Sequence, residues 1–124
     1  MGDILVLDDV ADAGLMLKRL LMRKGHRVAV FTEEDEALAH VRSNPVDVAI
    51  LDIRLKKISG VEMLEEIKKI SPSTRVIMLT GYPTLETARQ AQKLGAFDYC
   101  IKPIDKEELE EKVANAMKSP ELND

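Results

Sequence analysis

The chain is poor in the residues that build several kinds of site. Its single cysteine, Cys100, excludes an internal disulfide and suits a reducing compartment. Its two histidines, His26 and His40, lie far apart, and with one cysteine they offer no zinc-type spacing. Aromatic residues make up only 3%. No apolar run approaches the roughly 20 residues of a membrane span. The N-terminus shows neither the basic n-region nor the apolar h-region of a secretory signal. Internal repeats and low-complexity segments are also missing. Positive charge is not in excess: 18 Lys and Arg against 22 Asp and Glu leave a net charge of −4. That balance argues against a nucleic-acid footprint carried by the whole surface and leaves only a local basic patch open. The expectation is a cytoplasmic chain with no membrane contact and no direct nucleic-acid contact.

What is present is an ordinary globular balance, 45% hydrophobic and 32% charged over 124 residues, enough for one domain with one core. The organising stretch is Val46 to Asp52. Val48-Ala49-Ile50-Leu51 is an uninterrupted apolar run, too short for an ordinary helix, bounded by Asn44-Pro45 and by Asp52. It predicts a parallel strand covered on both faces. Ile4 to Leu7, ended by Asp8-Asp9, predicts another, as does Val76 to Leu79, ended by Thr80-Gly81. His26 to Phe31 alternates as an edge strand would, and Phe97 to Ile101, ended by Lys102-Pro103, supplies a fifth.

Helical periodicity fills the intervals. Asp12 to Lys24 carries Leu17, Leu20 and Leu21 on one face and stops at Gly25. Thr32 is placed to cap a second helix with Asp35 at N3, its inner face being Ala37, Leu38 and Val41. Ser59 and Glu62 form a capping box for a third, with Val61, Leu64, Ile67 and Ile70 inward. Pro83 to Leu94 is a weaker helix with Leu85, Ala88, Ala91 and Leu94 as its apolar face. Asp105 and Glu108 open the last, with Leu109, Val113 and Ala116 inward. The methionines read as core gap-fillers. Five strand–helix units in strict alternation imply an α/β fold, a five-stranded parallel sheet doubly wound by helices in the order 2-1-3-4-5.

In that topology Asp8, Asp9, Asp52, Thr80 and Lys102 all terminate strands and fall on one rim, at the crevice where open α/β sheets bind ligands. Three carboxylates in one crevice repel unless one is protonated or a cation joins them. Oxygen ligands without His or Cys favour a hard ion, and a few carboxylates with room for water suit Mg²⁺. A hard cation with a lysine and a hydroxyl is a set that can hold a phosphoryl group, and a carboxylate can be the nucleophile that takes it. Asp52 is the candidate.

Asp8-Asp9, Asp52, Thr80-Gly81 and Lys102-Pro103 at four strand ends resemble the signature of the flavodoxin-like receiver domains of two-component response regulators. The resemblance covers residues 3–118 and leaves 119–124 as a polar tail or the start of a linker. Gly95 to Pro103 is similar to receivers joined to AAA+ enhancer-binding transcription activators. The resemblance implies that Asp52 takes a phosphoryl group from a sensor histidine kinase or a phosphotransfer protein. Asp8, Asp9, Asp52 and the backbone carbonyl of Arg54 would hold Mg²⁺, and Lys102 would bridge to the phosphate. Thr80 would swing toward the phosphoryl group, Tyr99 would turn inward, and Pro103 would follow a cis peptide bond. The output would be a change of state of the face from strand 4 to helix 5, read by an attached output domain or a homodimer partner. The chain is then a switch and not an enzyme, with phosphotransfer and dephosphorylation directed only at itself. Leu55 and Lys56 stand where many receivers have Met-Pro. Arg54 and Tyr82 flank the expected path of a hydrolytic water.

Three other readings compete. An aspartyl-phosphate phosphatase would need a second acid two residues after Asp52, where this chain has Arg54. A flavin carrier would need a hydroxyl- and glycine-rich loop after the first strand, where Asp8-Asp9 would repel phosphate, and aromatics that are scarce here. A pure binding module would have no need of the complete acid set. On the first helix and after it, Lys18, Arg19, Arg23, Lys24 and Arg27 form a solvated basic face or a kinase-docking face.

Overall fold

The computed structural model describes residues 2–53 and 59–118. The elements are β1 (Asp3–Leu7), α1 (Ala11–Met22), β2 (Arg27–Phe31), α2 (Glu34–Ser43), β3 (Val48–Asp52), α3 (Gly60–Ile70), β4 (Arg75–Thr80), α4 (Leu85–Lys93), β5 (Asp98–Ile101) and α5 (Lys106–Lys118). All strand pairs are parallel, and the sheet order is β2-β1-β3-β4-β5, as the alternation of elements predicts.

Both faces of the sheet are covered, and the period-2 alternation of each strand divides its side chains between two cores. Leu5, Leu7, Ala49, Leu51, Val76 and Met78 pack against Ala37 and Val41 of α2, Met63, Leu64 and Ile67 of α3, and Ala91 of α4. Ile4, Val6, Val48, Ile50, Ile77 and Leu79 pack against Leu17, Leu20 and Leu21 of α1 and Leu109, Val113 and Ala116 of α5. β3 is buried along its whole length, which is why its sequence is a continuous apolar run. Leu64 and Ile67 are fully buried on α3, and each contributes about 1.5–3 kcal/mol of hydrophobic stabilisation.

Local chemistry fixes most of the boundaries. At the start of α3 the Glu62 N–H donates to Ser59 Oγ at 3.1 Å and the Ser59 N–H to Glu62 Oε1 at 3.0 Å, the reciprocal capping box. Gly25 and Gly95, after α1 and α4, have φ of 90° and 96°, a conformation that favours glycine. The Glu107 N–H donates to Asp105 Oδ1 at 3.0 Å at the start of α5. On the outer edge of β5, the Tyr99 N–H donates to Asp98 Oδ1 and its carbonyl accepts from Lys112 Nζ at 2.6 Å. Lys112 also pairs with Asp98 and Glu108, so an ion pair closes that stretch of the sheet edge.

Four details differ from expectation. α2 begins at Glu34 with Glu33 as N-cap and no side-chain capping bond, because the Glu33 carbonyl accepts the first helical hydrogen bond from Ala37; Thr32 lies one residue too early to cap. On α3 Met63 is fully buried and Val61 only half-buried, the apolar stripe being set by Gly60, Met63, Leu64 and Ile67. α4 buries only Ala91, while Leu85 is 69% exposed, because the helix starts after Thr84 and turns its first residue to solvent. Met63 and Met78 fill the core, but Met16 and Met22 are exposed on α1. No described helix is long and apolar enough to cross a membrane.

Candidate functional site

Register brings the acids together. Leu7 of β1 is opposite Leu51 of β3, so Asp8 and Asp52 follow side by side where the two strands leave the sheet. Asp9 comes next in the chain, and carboxylate oxygens of Asp8, Asp9 and Asp52 all lie within 4.8 Å of one another. On the other side of β3, Thr80 ends β4 opposite Ile101 of β5, and Lys102 follows. The Lys102 N–H donates to the Thr80 carbonyl at 2.7 Å, which holds the start of this segment against β4.

Alternation then sorts the side chains. Asp52 is in phase with Val48 and Ile50, whose core belongs to α1 and α5, whereas Thr80 is in phase with Val76 and Met78, whose core belongs to α2, α3 and α4. Tyr99 packs against the second of these cores, and its hydroxyl lies 3.4 Å from Thr87 Oγ1 on α4. Thr80 is buried and accepts the Tyr82 N–H at Oγ1, 3.0 Å away. The peptide bond from Lys102 to Pro103 is cis, as expected. Tyr82, beside Thr80, is 69% exposed. Arg54, expected to offer its carbonyl to the metal, lies outside the described residues with Leu55 and Lys56.

Among the described residues, one lysine faces the acids of the site. Lys102 Nζ lies 3.0 Å from Asp52 Oδ2 and 3.6 Å from Asp8 Oδ2. Burial opposes the Lys102 charge, but the hydrogen bond to Asp52 and the nearby Asp8 and Asp52 charges together raise its pKa above the ordinary value. Asp8 is 1% exposed, and burial pushes its carboxyl above the usual range. The Val10 N–H and Lys102 oppose that push, while Asp52 and Asp9 add to it. Asp8 Oδ1 takes the Val10 N–H at 2.9 Å, at the entry to α1. Asp8 Oδ2 is buried and accepts no hydrogen bond among the described residues. A buried carboxylate oxygen to which no described residue donates, next to two more carboxylates, is a costly arrangement. It fits a hard divalent cation, since the donors are all oxygen.

One contributor is not evident from the acid pattern. Gly60, the first residue of α3, lies against the backbone of Asp52 and Ile53. The sequence signal for it is faint: a glycine where any good helix former would serve the capping box.

The response regulator receiver domain family matches residues 4–114 of the chain. The chain belongs to that family. This receiver domain is 38% identical over 122 residues to the transcriptional regulatory protein ZraR of Klebsiella oxytoca, a match covering 98% of this chain and 28% of that relative. The chain therefore spans little more than a quarter of that relative's length. Among solved structures it resembles a response regulator receiver domain protein from Clostridium thermocellum, with a TM-score of 0.89, 38% identity and 94% of each chain covered. It also resembles a response regulator protein from Burkholderia pseudomallei solved with a phosphorylated aspartic acid, a calcium ion and citrate. That match has a TM-score of 0.85 and 30% identity, covering 96% of this chain and 68% of the other. As a receiver domain, the protein is a signalling switch of two-component systems with an acidic pocket suited to a divalent cation.

Proposed function

We propose that this receiver domain is switched by phosphorylation of Asp52, with a phosphohistidine of a partner kinase or phosphotransfer protein as donor. The observation that carries the reading is the meeting of Asp8, Asp9 and Asp52 on one rim, with Lys102 3.0 Å from the acceptor. A carboxylate oxygen of Asp52 attacks phosphorus, the bond from phosphorus to the donor's imidazole nitrogen breaks, and its electron pair stays on that nitrogen. Asp8, Asp9 and Asp52 would hold Mg²⁺, with the Arg54 carbonyl, and the ion neutralises phosphoryl oxygens when bound. Lys102 exchanges its bond to Asp52 for one to the phosphoryl group. Thr80 releases the Tyr82 N–H to donate its own hydroxyl to the phosphoryl group, and the Tyr99 ring moves into the space it leaves. That couples the acid crevice on one side of the sheet to α4 and β5 on the other.

The same reading assigns partners. A groove of about 270 Å³ between α1 and the entry to α5 is lined by Met16, Leu17, Leu20 and Ile104 and rimmed by Arg19 and Arg23. Its Ile104 directly follows Lys102-Pro103, and the groove suits an acidic partner helix presenting its phosphohistidine. Of the five basic residues, Arg27 is committed to Asp3 and Lys24 stands 3.9 Å from Glu110, so Lys18, Arg19 and Arg23 carry the docking role. The output face is α4–β5–α5, where Leu85 and Ile101 are exposed, and an AAA+ activator or a second receiver is its reader. Residues 3–118 form the switch, and 119–124 are assigned as a polar tail or the start of a linker. Phosphotransfer and hydrolysis are directed only at the domain's own Asp52.

Incubation with acetyl phosphate, with Mg²⁺ or with a chelator, tests the reading by intact mass. One added phosphoryl group in the presence of Mg²⁺ only is the expected result. A phosphoryl group added equally under chelation contradicts the metal-assisted mechanism.

A further inference from the structure

The acceptor's backbone is held from two directions. Beyond Asp52 the Ile53 N–H donates to the Leu79 carbonyl of β4 at 2.9 Å, extending the ladder by one residue. The Ile53 carbonyl in turn accepts the Gly60 N–H at 2.8 Å. The first turn of α3 therefore sits directly on the peptide unit that follows the acceptor.

The approach is closer than any side chain permits. A Cβ at Gly60 would stand 2.5 Å from Ile53 Cα, 2.9 Å from the Asp52 carbonyl carbon, and closer still to the Asp52 carbonyl oxygen. These atoms are backbone and cannot rotate aside. Ordinary contacts between such atoms begin near 3.5 Å, so even one methyl group requires a shift on the order of 1 Å. The helix is poorly placed to yield, because Met63, Leu64 and Ile67 anchor it in the core and the capping box fixes its first turn. The added atom thus presses on the strand end, and a shift there carries the Asp52 carboxylate with it.

We propose that Gly60 is a positioning residue for phosphoryl acceptance, resting on the reading of Asp52 given above. Its missing side chain lets α3 clamp the Asp52–Ile53 peptide and so sets where the Asp52 carboxylate stands relative to Asp8, Asp9 and Lys102. A 1 Å error at a reacting group costs on the order of a hundredfold in rate, so a role of this kind is visible in kinetics.

The test compares wild type, Gly60→Ala and Gly25→Ala. Gly25 has positive φ at the far end of α1, so its alanine variant strains the fold at a distance from the acids. Mg²⁺ affinity is measured by calorimetry, phosphoryl uptake from acetyl phosphate at saturating Mg²⁺ by intact mass, and stability by urea unfolding. In Gly60→Ala, Mg²⁺ affinity and uptake rate are both expected to fall by about tenfold or more. In Gly25→Ala both are retained while the urea midpoint falls. Gly60→Ala holding both quantities within about twofold of wild type overturns the proposal, as does an equal loss in Gly25→Ala. If Gly60→Ala does not fold, Glu62→Ala replaces it, loosening the first turn of α3 without adding an atom. Weaker Mg²⁺ binding is then expected, and unchanged binding overturns the proposal. Absence of phosphoryl uptake in wild type removes the acceptor reading alone, since the Mg²⁺ affinities still report on Gly60.

Discussion

Lys102 Nζ lies 3.0 Å from Asp52 Oδ2, joining the ends of β3 and β5 across the intervening end of β4. The lysine has a second carboxylate, Asp8, at 3.6 Å, so among the described residues one cation serves two carboxylates. Lys102→Met removes that cation. Its side chain is about one-third exposed, so the loss in stability of the metal-free protein is expected to be about 1–2 kcal/mol, below that for a fully buried pair. Phosphoryl uptake from acetyl phosphate should slow on the order of a hundredfold, as for loss of one charge-stabilising donor. Urea melts and timed intact-mass measurements read both. Uptake at the wild-type rate would place Lys102 outside the chemistry.

Asp8 gives a prediction of opposite sign. Its folded pKa is raised above 3.8, chiefly by burial. The folded state thus holds this proton more tightly than the unfolded chain does. The associated stability is complete below pH 3.8 and is lost as pH rises through the folded value. At neutral pH without metal, the ionised carboxylate is a cost. Asp8→Asn keeps an acceptor for the Val10 N–H and is expected to raise metal-free stability at pH 7 by about 1 kcal/mol. It should also abolish stabilisation by Mg²⁺, which in the wild type grows with the ion's concentration. A lower urea midpoint for Asp8→Asn in chelator would mean that attraction to Lys102 outweighs burial.

His26 supplies a pH dependence remote from the acids. Its Nδ1 accepts the Gly2 N–H at 3.2 Å, a bond that a doubly protonated ring cannot accept there. Burial lowers its pKa below 6.5, with Asp47 pulling the other way. Its contribution is therefore present above pH 6.5 and lost as pH falls through the folded value. The ring is partly exposed, so the effect is expected to stay below about 1 kcal/mol. An NMR titration should give a midpoint below that of a free histidine, and His26→Gln should flatten the stability profile between pH 7 and 5. A midpoint above 6.5 would reverse the sign and refute the assignment.

Tyr82 bears on the lifetime of the switched state. Its N–H donates to the Thr80 hydroxyl, and we propose that it and Arg54 hinder the approach of water to the acceptor. Tyr82→Ala combined with Arg54→Ala should shorten the phosphorylated state several-fold, on the order of a factor of 3 to 10 for easier water access. Decay of the phosphorylated mass after removal of acetyl phosphate measures it. An unchanged or longer lifetime runs against the role.

The sheet and its rim were legible in the sequence for one reason: buried parallel strands are short apolar runs, and the first polar residue after each run marks where the strand leaves the sheet. Asp8, Asp52, Thr80 and Lys102 each occupy that position. Register then needs no further information, since the crossovers of a doubly wound sheet align strand ends. The details that escaped depend on distance across the fold. Gly60 is an unremarkable member of a capping box until α3 is laid on β3. Met63 looked no different from Met16 or Met22, because methionine tolerates both core and surface. Spacing alone gives Leu85 an inner position, but the Thr84 cap starts α4 with that residue facing solvent. The edge closure by Asp98 and Lys112 joins residues on a strand and a helix whose angular relation no periodicity encodes.

The central claim is that Asp52 is the phosphoacceptor. Intact-mass spectrometry of wild type and Asp52→Asn, after the same incubation with acetyl phosphate and Mg²⁺, tests it most directly. The account predicts one added phosphoryl group on the wild type and none on the variant, with both proteins folded. An adduct of the same size on Asp52→Asn would contradict it and move the acceptor to another residue of the rim.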